Sequence, residues 1–232
     1  VTPELRKVAL FFGTTLLVGL VAVVMAPRFL GAAAGPEADM VAQLARTERD
    51  GLSLAIPGTE LPLRSKHHHF DRIVVQVDLA ARTAEALSTL DFTGALGSTE
   101  VSSLGVEKTP FAYAGKWQPS DGWAPRLEAV VKALEDRRRA LERADARLLA
   151  AVTGSPAVTL APDDALEHVF LLRDRRYEAK AWYIRLERDS AAVTEVFRLT
   201  GVLPDRPVDE EGRRSLTLER RDAEFFFSKG LM

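Results

Sequence analysis

His67, His68 and His69 form the densest group of potential ligands or bases in the chain. In a strand alternate side chains share a face, so His67 and His69 would point the same way and could hold one metal ion between them. Asp71 would extend that face, and His168, the remaining histidine, could complete a site from a distance. A metal centre needs convergent ligands steadied by outer hydrogen bonds, whereas only two of these residues have a telling spacing. A solvent-exposed run at the junction of a loop and a strand is the competing account. The set His67, His69, Asp71 therefore stands as the alternative, and the main expectation is no metal and no cofactor.

Asp164 and His168 lie four apart and would share a helix face, where the carboxylate could orient the imidazole for proton transfer. The same spacing suits a surface ion pair. There is no G-x-S-x-G and no Ser-x-x-Lys in a helical setting, and the glycine-rich GAAAG and GALG lack the Lys-Ser/Thr of a phosphate loop. With no cysteine in the chain, thiolate nucleophiles, thiolate metal sites and disulfides are excluded together. The expectation is a protein without catalytic activity. Arg137, Arg138 and Arg139 could bind phosphate or anionic lipid, but three successive helical residues spread around the axis and acids surround them, which favours a solvated face. Phe225, Phe226 and Phe227 read either as a plug for a partner or as a terminal strand covered on both faces.

The elements that must position these residues begin with Val8 to Ala26, a stretch without a charged side chain. At about 1.5 Å of rise per residue it is long enough to cross a bilayer core of roughly 30 Å. Arg6 and Lys7 precede it, so the positive-inside bias keeps the N-terminus in the cytoplasm and places the remainder outside. A signal peptide cleaved near Gly35 after Ala32, Ala33 and Ala34 is the rival. The net charge of -2, from 31 basic and 33 acidic residues, gives no general field for nucleic acid.

The patterning divides the chain into five segments: 1–30, a short cytoplasmic N-terminus and transmembrane anchor; 31–69, a short helix and linker; 70–120, a first β-unit; 121–175, a helical insert; and 176–232, a second β-unit packed with the first. In the first β-unit Ile73, Val75, Val77 and Leu79 alternate with Val74, Gln76 and Asp78. The insert contains a helix over 122–153, marked by Leu127, Leu134, Leu141 and Leu148, and a second helix starting at Pro162. In the second β-unit Trp182, Ile184 and Leu186 share a face. A shift of 107 residues sets Val75, Val77 and Leu79 on these three, and Thr93-Gly94 on Thr200-Gly201, which suggests a duplication. It requires AAVTEVFRLTG to be a strand rather than a helix capped by Gly201.

The expected fold class is thus α+β: a single transmembrane helix, then extracytoplasmic antiparallel β-units with a long helix between or across them. The expected role is an accessory, scaffolding or partner-binding component of a cell-envelope assembly, held in the inner membrane. Its partners would be the lipid bilayer, through Val8 to Ala26, and other envelope proteins, but not nucleic acid. The alternative is a metal-binding periplasmic protein using His67 and His69.

Overall fold

The computed structural model describes residues 35–154 and 164–230, with side chains throughout except at 164–167. The chain divides into two compact units, Val1–Asp39 and Met40–Met232, and nearly all of the described residues belong to the second.

The elements in chain order are helix α1 (Pro36–Asp50), strands β1 (Ser53–Leu54), β2 (Leu63–Asp78), β3 (Thr83–Leu96), β4 (Thr99–Tyr113) and β5 (Trp117–Pro119), helices α2 (Pro125–Arg143), α3 (Ala146–Val152) and α4 (Asp164–Leu171), and strands β6 (Arg173–Leu186), β7 (Ser190–Val202), β8 (Pro207–Arg221) and β9 (Glu224–Lys229). The nine strands among the described residues join one sheet, ordered β1-β2-β3-β4-β6-β7-β8-β9, with β5 paired to β4. Every pairing is antiparallel except the seam between β4 and β6, which is parallel from Glu100↔Ala181 to Gly105↔Leu186.

The expected fold class needs correction. Strands make up more than half of the described residues, and the two expected β-units are one mostly-β, curled half-barrel sheet rather than an α+β array. A parallel neighbour requires a long crossover, and the helical segment α2 to α4 is that crossover. The membrane reading is corrected too. No helix among the described residues is long and apolar enough to cross a membrane. Val8 to Ala26, on which the single-pass, inner-membrane and periplasmic placement depended, lies outside the described residues, and that placement is withdrawn.

Curl comes from irregularities in the two leading strands. β2 carries register shifts between Ser65 and His67 and between Asp71 and Val74. β6 carries them between Arg173 and Arg176 and between Ala179 and Ala181. Bulges bend a strand and increase its twist, so long strands can wrap around a helix instead of running flat. The ladders of the two halves also coincide: Thr83↔Ala112 and Ala95↔Glu100, shifted by 107 residues, become Ser190↔Glu219 and Val202↔Pro207. The segment AAVTEVFRLTG is strand β7. Its alternation of Ala191, Val193 and Phe197 toward the core outweighs its helical spacing once both neighbouring strands are in place.

The core lies on the inner face, against α2. Leu127, Val130, Val131, Leu134 and Leu141 of that helix are fully buried, as are Leu90 and Phe92 of β3 and Trp182 of β6. The helix expected over 122–153 is in fact two. Ala144 takes a left-handed conformation (φ 52°) that ends α2, and the side chain of Asp145 accepts from the N–H groups of Arg147 and Leu148, both at 3.0 Å, to start α3. The span read as linker also differs: β2 begins at Leu63, inside GLSLAIPGTELPLRSK. Two prolines and two glycines there mark the loop ahead of the strand, not the strand's absence.

Candidate functional site

The histidine run lies on β2 and faces two ways. His68 points inward and is buried. Its Nε2 is 3.1 Å from Thr47 Oγ1, whose own proton goes to the Leu44 carbonyl at 2.7 Å, so the imidazole is the donor in this contact. Burial pushes His68 below its ordinary pKa against the pull of Glu48. His67, His69 and Asp71 are exposed. His69 Nδ1 lies 3.0 Å from Glu48 Oε1, which also accepts the Phe70 N–H at 2.9 Å. Thr47 and Glu48 belong to α1, so these histidines dock that helix onto the sheet. Among the described residues no group of three or more His, Asp or Glu side chains is placed to hold a metal ion. The expected Asp164–His168 pairing falls outside the described residues, because the side chain of Asp164 does.

The arginine triplet separates. Arg137 is fully buried and donates to Glu195 Oε2 at 2.9 Å. Tyr177 donates its hydroxyl proton to the same oxygen at 2.6 Å, and Trp182 Nε1 donates to Glu195 Oε1 at 3.1 Å. The guanidinium lies over the rings of Tyr177 and Phe227, at 5.7 and 5.8 Å. Burial alone would lower the pKa of Arg137, and the Glu195 carboxylate more than offsets it. Phe225 and Phe227 are buried within β9, so the aromatic run is a covered strand, with Phe226 half-buried beneath Arg221.

A second buried acid sits at the other end of α2. Ala124 gives that helix no side-chain cap, and Glu107 of β4 takes over the task. Its carboxylate accepts from the N–H groups of Arg126 and Leu127, both at 3.0 Å, and of Lys108 at 2.9 Å. Arg126 then crosses the seam, donating to the Val106 carbonyl at 2.8 Å, to that of Arg188 at 2.7 Å and to that of Glu187. Thr99 Oγ1 crosses it further along, to the Ala179 carbonyl at 2.8 Å.

Burial raises Glu107 to about 7, overcoming the three N–H donors. Burial together with the neighbouring Glu107 raises Glu128 to about 7. Both folded values exceed the ordinary carboxyl value of 4.5, so the folded state binds protons that the unfolded state releases. The stability these groups contribute is therefore complete below about pH 4.5 and lost as pH rises through about 7. Melting temperature measured across that window should decline less steeply in E128Q than in the wild type. Parallel profiles would show that Glu128 does not titrate there.

Both acids were readable as anomalies. Glu107 falls at the inward parity of β4, in line with Val101, Thr109 and Phe111, and Glu195 lies between Val193 and Phe197 on β7. A carboxylate at an inward strand position needs a buried partner. Arg137, three after Leu134 and four before Leu141, is in the core stripe of its helix and supplies one.

With inner-face acids occupied in holding the helix, the outer face is what the molecule presents. Val74 and Leu87 are direct cross-strand partners and are 65% and 48% exposed. Leu104 and Tyr183 are diagonal neighbours across the seam and are 56% and 51% exposed. Half-buried Val106 lies between the two pairs, so an apolar band runs obliquely over four strands. The Lys108–Glu85 ion pair, at 2.7 Å, flanks it.

These features define a mostly-β protein with one curled sheet closed on its inner side by its own helix. No family model matches the chain, and no curated protein matches it. Among solved structures, one provisionally described as a ketosteroid isomerase from Shewanella frigidimarina is similar at 13% identity and a TM-score of 0.38, covering 44% of this chain and 92% of its own. An NTF2-like protein involved in plasmid conjugation is similar at 5% identity and a TM-score of 0.32, covering 72% and 76%. Likenesses this distant transfer no activity, substrate or partner.

Proposed function

We propose that this protein is a non-catalytic scaffolding or partner-binding module that docks another protein on the outer face of its sheet. The observation that carries this reading is the exposed apolar band of Val74, Leu87, Leu104 and Tyr183. Sheet faces left to water ordinarily alternate to polar side chains, and large apolar groups that adjoin across neighbouring strands mark an interaction surface. The inner face supports the same reading. Glu107 and Glu195 are wholly buried, and each is engaged by α2, so neither can meet a substrate without the helix leaving.

The test compares proteins retained by the immobilised wild type and by V74S/L87S/L104S in extracts of the source cells. Exposed positions of this kind change stability by only about 0.5 kcal/mol each, so the triple variant should stay folded. The expected result is a reproducible partner held by the wild type and lost from the variant. Retention of the same proteins by both, or of none by the wild type beyond a bare-matrix control, would overturn the proposal.

A further inference from the structure

We propose that two copies of this chain pair through the free edge of β2, antiparallel about a twofold axis at Val75, so that the sheet runs on from one copy into the other. β1 covers that edge only at Leu63 and Arg64, and the carboxylate of Glu48 takes the Phe70 N–H. From Arg72 to Asp78 no described strand pairs with the outer side of β2. A row of unpaired backbone donors and acceptors is a template for another strand.

The phase of the ladders shows which backbone groups are free. The Tyr113 N–H donates to the Arg82 carbonyl at 3.0 Å, so even-numbered residues of β3 bond β4 and odd-numbered ones bond β2. Glu85 and Leu87 therefore bond Gln76 and Val74, and the N–H and C=O groups of Val75 and Val77 point outward. The second half of the sheet shows what such an edge can meet. With β3 laid on β7, Ala86 and Ala84 fall on Val193 and Ala191, so Val75 and Val77 take the places of Ile184 and Leu186. Those places are two residues from the ones the sequence shift gives them. Ile184 and Leu186 are buried where β6 meets β4, whereas Val75 and Val77 are only half-buried.

The run from Arg72 to Asp78, RIVVQVD, is self-complementary about its centre. In the antiparallel pair Val75 exchanges both backbone bonds with Val75 of the second copy. Ile73 then lies opposite the second copy's Val77, Val74 opposite its Gln76, and Arg72 opposite its Asp78. Opposite charges thus meet at both ends, with none between them. Asp78 is held for this by its own turn, its Oδ1 accepting the Ala80 and Ala81 N–H groups at 2.9 Å, while Arg72 meets Asp71 at only 3.7 Å. Moving the axis by one residue would set Asp71 against Val77 or Asp78 against Val74. At the far end of the sheet the free part of β8 is guarded instead: Pro207 lacks a donor, and Asp209, Glu210 and Glu211 follow it. One strand from each copy makes a small contact, so the dimer is weak and reversible.

Sedimentation velocity of the full chain from about 1 to 300 µM tests this. A monomer–dimer equilibrium with its midpoint inside that range is expected. V75P removes only an outward N–H, so it should leave the melting temperature nearly unchanged and abolish the dimer. R72E, at an exposed position, sets carboxylates against each other at both ends and should weaken the dimer about tenfold or more, which keeps the test decisive if V75P folds poorly. L104S, on the outer face away from this edge, should dimerise as the wild type does, whatever becomes of partner docking. A monomer at every concentration, assemblies that grow beyond two as pairing of β2 with β8 would produce, or a dimer that R72E leaves unchanged would overturn the proposal.

Discussion

Replacing Gly105 with alanine is expected to destabilise the protein by about 3 kcal/mol or more, through steric conflict and backbone strain together. In melting temperature that corresponds to a fall of about 6 to 12 °C. Gly105 ends the parallel seam, opposite Leu186. A Cβ there would lie 1.9 Å from the Leu186 carbonyl oxygen and within 2.8 Å of that residue's carbonyl carbon and amide nitrogen. These are backbone atoms, so no rotamer change relieves the clash and the two strands must separate locally. The φ of 148° adds strain for any residue with a side chain. Gly115 is the control: it also has a positive φ, 81°, but a Cβ there would meet nothing within 4 Å. G115A should cost only the backbone term of about 1 kcal/mol. Equal melting temperatures for G105A and G115A would contradict the close approach at the seam.

Removing the charge of Arg137 should cost a similar amount or more. R137M leaves Glu195 buried without its cation, a situation that destabilises by about 3 to 5 kcal/mol. Methionine is long enough to fill much of the vacated space between Tyr177 and Phe227, so the loss reports on the charge and not chiefly on a cavity. The double variant R137M/E195Q should recover most of that loss. The glutamine is neutral and its carbonyl oxygen still accepts from Tyr177 or Trp182, so the site keeps an acceptor without an unpaired charge. Denaturant unfolding of the wild type, the single and the double variant makes the comparison. If the double variant is no more stable than R137M, the ion pair is not what holds α2 to the second half of the sheet.

The strands were the most legible feature of the sequence, and their arrangement the least. Ile73, Val75 and Val77, or Trp182, Ile184 and Leu186, alternate because one face meets the core, and that period is visible in any strand with one wet side. Which strands neighbour which is a different matter. The parallel contact of β4 with β6 joins residues about 80 apart through a three-helix crossover, and no local pattern encodes it. The break at Ala144 was hidden as well, because an alanine in a left-handed conformation carries no glycine to announce it. The extension of β2 back to Leu63 was masked by prolines and glycines in the loop before it.

For the sites, residue type misled where parity would have guided. His67, His68 and His69 stand out by composition, yet two of them tie α1 to β2. Glu107, Glu195 and Arg137 look ordinary in charged surroundings, and their inward positions alone distinguish them. The spread of Arg137, Arg138 and Arg139 around the axis was legible, but the acids nearby pointed to solvent for all three, and Arg137 is fully buried. On a helix they point to different surroundings: the first into the core, the other two to Glu135 of their own helix.

The joining of the two halves into one sheet is tested most directly by amide hydrogen exchange at the seam, followed by NMR. The β4–β6 ladder, supported by Arg126, Thr99 and the close approach at Gly105, should protect amides of Val101 to Leu104 and Trp182 to Arg185 as strongly as those in the middle of β3 and β7. Their exchange should then proceed only through global unfolding. Seam amides that exchange orders of magnitude faster than the interiors of β3 and β7 would show two separately stable halves and contradict the single sheet.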